Sequence, residues 1–126
     1  MLQVYRLTKS FPSEERFGLT SQLRRAVLSV ATNIAEGSKR QTNPEYARFL
    51  NIAEGSLAET EYLLMVSRDL GYLPAAITKP ILAEAAEIAK MLHGPRSKVA
   101  RLYEYAIRST AGDLQRRSFL TFDFRL

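Results

Sequence analysis

The sequence predicts an all-α protein, an antiparallel up-down four-helix bundle with a short first helix, and three observations predict it. Apolar residues recur at spacings of three and four along several long segments, helix stop and start signals sit between those segments, and strand-like alternation is almost absent. A chain of 126 residues with 46% apolar composition has the length of one domain and can build a core without disulfides or metal staples.

The first ten residues, with Leu2, Val4, Tyr5 and Leu7, read as a short helix stopped before Pro12. Residues 11–18 form a turn, after which Leu19, Leu23, Ala26, Val27, Val30, Ala31, Ile34 and Ala35 mark one helix stripe, with Thr20 or Ser21 as candidate caps. Leu28 alone breaks that pattern. A helix of about 27 residues is expected from Asn43-Pro44, with Asn43 as cap and proline in the first turn, to Gly71 as left-handed terminator. Its stripe is Tyr46, Phe49, Ala53, Leu57, Thr60, Leu63, Leu64, Val66 and Leu70. A third stripe holds Ile77, Ile81, Leu82, Ala85, Ile88, Ala89 and Leu92, and a fourth holds Val99, Leu102, Tyr103, Ala106 and Ile107. His93-Gly94-Pro95 between them predicts a kink or a break near Pro95. The bundle domain is expected to span residues 1–108, followed by an irregular tail at 109–126 whose brief strand-like run is Phe119-Leu120-Thr121-Phe122.

The hexapeptide Asn-Ile-Ala-Glu-Gly-Ser occurs at residues 33–38 and again at 51–56. With a turn near residue 42, opposed positions of an antiparallel hairpin have residue numbers summing to about 84–87, so the copies lie beside one another. Gly55, well inside a helix where glycine costs about 1 kcal/mol against alanine, is expected to permit close backbone approach, and Gly37 either does the same or ends its helix. The same register places Arg25 near Glu59 and Glu36 near Arg48, which predicts cross-hairpin ion pairs that set register.

Net charge is +5, distributed as +4 over residues 1–40, −3 over 41–94 and +4 over 95–126. Because the third and fourth helices are expected to run antiparallel, Lys39, Arg40 and Arg48 should share a bundle end with Arg96, Lys98 and Arg101. That end is a candidate polyanion surface, with structured RNA as the first candidate ligand; Tyr103 and Tyr105 lie nearby. The rival class is a structural or protein-interaction scaffold, in which the basic ends serve subunit assembly or partner docking.

Other chemistries find little support. The chain has no cysteine, which excludes thiol catalysis, thiolate metal sites and disulfides. A single histidine, His93, beside a helix breaker is thin support for a nucleophilic triad, no glutamate is followed by histidine at di-iron spacing, and no phosphate loop surrounds Gly37, Gly55 or Gly71. Glu36, Glu54, Glu59 and Glu61 are better explained as solvated or ion-paired faces than as ligands of a hard cation. A non-enzymatic protein without cofactor or metal is therefore expected. The start, MLQVYRLTKS, lacks a signal-peptide layout and no apolar run reaches membrane-spanning length, so a cytoplasmic protein with no membrane partner is the expectation.

The run FPSEERFGLTSQLRRAVLSVATNIAEGSKR, the segment FLNIAEGSLAETEYLL and the Leu70-Gly71-Tyr72-Leu73 turn resemble the bacterial four-helix-bundle proteins of the 23S rRNA intervening-sequence family, over roughly residues 4–92. The resemblance implies a homo-oligomer, with rings of five subunits among its members. It also implies kinship with accessory proteins of diversity-generating retroelements, which bind nucleic acid and a nucleic-acid-processing partner through a basic surface. Arg25, Asn33, Glu36, Gly37, Gly55, Ser56 and Glu59 are the motif residues that match, and the family gives none of them a catalytic role. Against the family pattern the first helix is short. Ten residues at 1.5 Å each cannot cover helices longer than about 30 Å, so an apolar groove is expected, with residues 109–126, carrying Leu114, Phe119, Leu120, Phe122 and Phe124, either covering it in the same subunit or a neighbour or forming a disordered tail.

Overall fold

The computed structural model describes residues 1, 3–99, 101 and 102. Four helices are ordered along it: α1 (Gln3–Leu7), α2 (Leu19–Ser38), α3 (Asn43–Asp69) and α4 (Ala75–Leu92), with single 3-10 turns at Thr8–Ser10 and Ser13–Glu15. No strand occurs among the described residues. The chain is helical again at residues 96–99 and 101–102, so the segment His93-Gly94-Pro95 separates two helical stretches.

The apolar stripes account for the core. Leu23, Val27 and Ile34 of α2, Ala53, Leu57 and Leu64 of α3, and Ile81, Ala85 and Ile88 of α4 are buried together, joined by Val4, Val99 and Leu102. The α2 and α3 stripes meet most extensively. Ser29 Oγ lies 2.7 Å from Ser56 Oγ, and Gly37 faces Phe49, pairs whose residue numbers sum to 85 and 86. A nearly constant sum is the relation of two helices running in opposite directions. α1 is held to α2 by Arg24, whose Nε donates to Thr8 Oγ1 at 2.8 Å and whose Nη2 donates to the Tyr5 carbonyl at 3.1 Å, with the guanidinium 5.0 Å from the Tyr5 ring centroid.

The end of α3 is built as its sequence dictates. Gly71 has φ +81°, its N–H donates to the Arg68 carbonyl, and the Tyr72 N–H reaches the Ser67 carbonyl, so two otherwise orphaned carbonyls are satisfied by a left-handed glycine cap.

Several expectations are corrected. The α3 cap is Thr42, whose Oγ1 accepts from the Glu45 N–H at 3.4 Å, so Asn43 is already inside the helix and Pro44 occupies its first turn. The residue preceding α2 is Gly18 and no side chain caps that end; Thr20 is buried instead and Ser21 lies within the helix. Leu70 and Ile77 are exposed, and in the first turn of α4 the buried position is Thr78. Gly37 lies inside α2 rather than ending it, and a Cβ there would stand 2.9 Å from Phe49 Cβ. Gly55 has the opposite environment: it is exposed, and a Cβ on it would meet nothing within 4 Å, so close packing within the chain does not explain it. Neither Arg25 with Glu59 nor Glu36 with Arg48 forms an ion pair, and all four residues are exposed. Pro80, inside α4 and exposed, escaped the sequence reading.

Between α2 and α4 lies only a small pocket of about 30 Å³, lined by Glu84 and by apolar residues that are mostly buried, among them Met1, Val27, Ile34, Ile88 and Leu102, rather than the open groove expected. Tyr103, Tyr105, the rest of the fourth stripe, the strand-like run and the 109–126 tail expected to cover the groove fall outside the described residues.

Candidate nucleic-acid interface

One end of the α2–α3 hairpin gathers cations on aromatic rings. Tyr46 and Phe49 lie in the first two turns of α3, three residues apart, and are buried at their edges with the core. Three guanidinium groups stack on these rings from outside. Arg96, at the start of the helical stretch after Pro95, sits 4.5 Å from the Tyr46 centroid, while Arg40 and Arg48 sit 4.7 and 5.4 Å from the Phe49 centroid. The negative faces of the rings favour the cations, by about 0.5–1 kcal/mol each at exposed sites.

Arg96 also ties the chain together. Its Nη2 donates to the Arg40 carbonyl just after α2, and its Nη1 reaches Asn43 Oδ1 at 3.5 Å. A half-buried arginine thus fixes the segment after Pro95 against the α2–α3 connection, which brings Arg40, Arg48 and Arg96 to one place. Tyr46 adds a constraint of its own: its hydroxyl is buried and has no hydrogen-bond partner, and burial raises its pKa above the ordinary phenol value, with Arg96 pulling the other way.

Of the six basic residues singled out in the sequence, Arg40, Arg48 and Arg96 form this cluster. Lys39 is exposed beside Arg40 without a side-chain partner. Lys98 and Arg101 are also exposed, but at about 100° per residue they lie roughly 200° and 140° around the helix from Arg96, so they flank the cluster and do not join it. The sequence reading treated Tyr46 and Phe49 as core only. The signal for their second role was present as Arg40 and Arg48 ahead of Phe49 and as Arg96 just after the breaker at Pro95.

The motif residues separate into two groups. Asn33 Nδ2 donates to the Ser29 carbonyl at 2.8 Å and contacts Ser29 Oγ at 3.1 Å, and Ser29 in turn meets Ser56, a half-buried polar seam between α2 and α3. Gly37 packs on Phe49, whereas Arg25, Glu36, Gly55 and Glu59 are exposed. Glu54 meets His93 Nε2 at 2.5 Å, fastening the end of α4 to the middle of α3. Among the described residues, no three His, Asp or Glu side chains gather as metal ligands, and no helix is long and apolar enough to cross a membrane.

Fold and surface together define a class: a helical bundle protein that carries, among its described residues, a set of arginines laid on buried aromatics. The family model for the 23S rRNA-intervening sequence protein matches residues 1–94, and the chain belongs to that family. No curated protein matches the chain.

Proposed function

We propose that this chain is a non-enzymatic, self-associating up-down helical bundle of the cytoplasm that binds structured RNA through the hairpin end carrying Arg40, Arg48 and Arg96. The convergence of those three guanidinium groups on Tyr46 and Phe49 carries the reading. Seated over the Phe49 ring, Arg40 and Arg48 keep N–H donors for phosphate oxygens, while Arg96 spends Nη1 and Nη2 on Asn43 and the Arg40 carbonyl and so orders the cluster, which suits arginine to this site better than lysine. Lys39, Lys98 and Arg101 widen the positive field around the cluster. The family name points to ribosomal RNA as the polyanion to try first. A ring of subunits, five by the family resemblance, multiplies a modest patch into a multivalent surface.

The test is fluorescence anisotropy of a structured RNA and a matched DNA duplex titrated with the protein at several salt concentrations, with light scattering for subunit number. Binding that weakens steeply with salt is expected. Neutralising Lys39, Arg40, Arg96 and Arg101 together is expected to abolish it while leaving the oligomer intact. Exposed Leu28, Ile52 and Tyr62 favour a second reading, a scaffold without nucleic acid, and that reading gains if the same variant disturbs assembly or if the wild type fails to bind at low salt.

A further inference from the structure

Among the described residues, α4 alone lines an open cleft of about 440 Å³, through Ala83, Glu84, Glu87, Ile88 and Met91. These positions recur at spacings of one and three, which at about 100° per residue confines them to one arc of roughly 140°. Ala83 and Glu87 are exposed and Met91 is half-buried, whereas Ile88 belongs to the core.

The segment after Pro95 returns along this helix. At the turn, the Gly94 N–H donates to the Met91 carbonyl at 3.0 Å and the Lys98 N–H to the Pro95 carbonyl at 2.9 Å. Arg96 reaches the Arg40 carbonyl just after α2, and six residues later Leu102 lines a small pocket with Val30, Ala31 and Ile34 of α2 and Ile88 of α4. The segment therefore runs against the direction of both helices.

That reversal fixes what lies opposite the cleft. A turn centred between Gly94 and Pro95 opposes residues whose numbers sum to about 189, and the pocket shared by Leu102 and Ile88 gives 190. At a sum of 190, cleft positions 83, 84, 87, 88 and 91 fall opposite Ile107, Ala106, Tyr103, Leu102 and Val99, which together are the whole fourth apolar stripe. Val99 and Leu102 are already buried, at 0% and 1% exposure. Charge agrees, because residues 96–108 carry four cations against one glutamate, and Glu84 and Glu87 border the cleft.

We infer that the cleft on α4 is the docking site of this chain's own residues 103–107, with Tyr103, Ala106 and Ile107 extending the contact begun by Val99 and Leu102. α4 and the returning segment then make a helical hairpin, and the short α1 shares its place in the bundle with that segment, since Met1 and Leu102 line one pocket. Ala106, the smallest of the three, falls opposite Glu84, which already holds the Met1 amino group at 3.2 Å. The inference stands independently of RNA binding and of self-association.

The chain has no cysteine, so paired substitutions report on this contact alone. In the full chain, Ala83→Cys with Ile107→Cys is expected to close an intrachain disulfide under mild oxidation, read as the loss of two hydrogens in intact mass. Ala86→Cys with Ile107→Cys is the control, because Ala86 lies about 130° around α4 from the centre of the strip. Closure is expected to be at least about tenfold faster for the first pair, since a disulfide needs Cβ atoms that face each other. Urea denaturation gives a second measurement: Tyr103→Ser and Ile107→Ser are expected to lower the midpoint, while Tyr105→Ser, off the stripe, leaves it unchanged. Equal closure rates, a disulfide found only between chains, or midpoints that Tyr103→Ser and Ile107→Ser leave unchanged would each overturn the contact.

Discussion

Gly37 in α2 and Phe49 in α3 meet so closely that a Cβ on the glycine would stand 2.9 Å from Phe49 Cβ. The atom in the way is the root of a buried ring, which cannot swing aside as the tip of a long side chain would. Gly37→Ala therefore sets two effects against each other: helix propensity gains about 1 kcal/mol, and overpacking costs about 1–3 kcal/mol. A net loss of about 1 kcal/mol is expected, read as a lower midpoint in thermal or urea denaturation. An unchanged or raised midpoint would show that the hairpin opens freely at this point.

The two copies of the hexapeptide show where the sequence stops being legible. Periodicity locates the stripes, and with them α2, α3, α4 and most of their buried apolar residues, though not buried Leu50, Ser67 or Thr78, because burying an apolar face is what makes these segments helical. It does not say how the rest of each face is oriented toward its neighbours. Gly37 and Gly55 occupy the same place in identical hexapeptides, yet one is buried against Phe49 and the other is open. Height along the hairpin was readable from the turn, so Arg25 and Glu59 were placed level; direction around each helix was not, and both point outward. Caps shifted by a residue because Thr42 and Asn43 are both good caps and only geometry chooses between them. At the candidate interface, Arg40, Arg48 and Arg96 were legible as charge, while Tyr46 and Phe49 carry two roles that one apolar spacing cannot separate.

Gly71 offers a sharper test of local conformation. Its φ of +81° lies in the left-handed region, and the Arg68 and Ser67 carbonyls depend on the turn it makes. Gly71→Ala is expected to cost about 1–2 kcal/mol, because the penalty is the alanine Cβ against its own backbone and no open space relieves it. Gly71→Asn should cost less, since asparagine tolerates this region. Equal losses for the two variants would argue against a left-handed cap.

Tyr46 predicts a pH dependence with a definite sign. Burial raises its pKa, its first cause, against the lowering influence of Arg96, so in the folded chain the phenol holds its proton to higher pH than in the unfolded chain. The folded state then binds more protons than the unfolded state above the ordinary phenol pKa of about 10, and stability falls as pH rises through that range. Tyr72 acts in the same direction, through burial and then through Glu15 and Glu14, so Tyr46→Phe is expected to remove only part of the alkaline loss. At neutral pH the same substitution should be neutral or stabilising, since the hydroxyl is buried without a partner. Urea denaturation of both proteins between neutrality and strongly alkaline pH measures both effects, and an undiminished alkaline loss in the variant would refute the assignment.

Arg96 separates charge from geometry at the proposed RNA surface. Lysine in its place keeps the positive charge but loses the planar face above Tyr46 and the fork that reaches the Arg40 carbonyl and Asn43. If the ligand felt only net charge, Arg96→Lys would leave affinity nearly unchanged. With the guanidinium ordering the cluster, affinity is expected to fall about tenfold, or about 1.4 kcal/mol, while the slope of log affinity against log salt stays the same, because the number of phosphate-neutralising charges is unaltered. Arg96→Gln should lower affinity further and reduce that slope by about one. Anisotropy titrations of both variants across a salt series measure the two quantities, and a lysine variant with wild-type affinity would reduce the aromatic platform to a packing feature of the core.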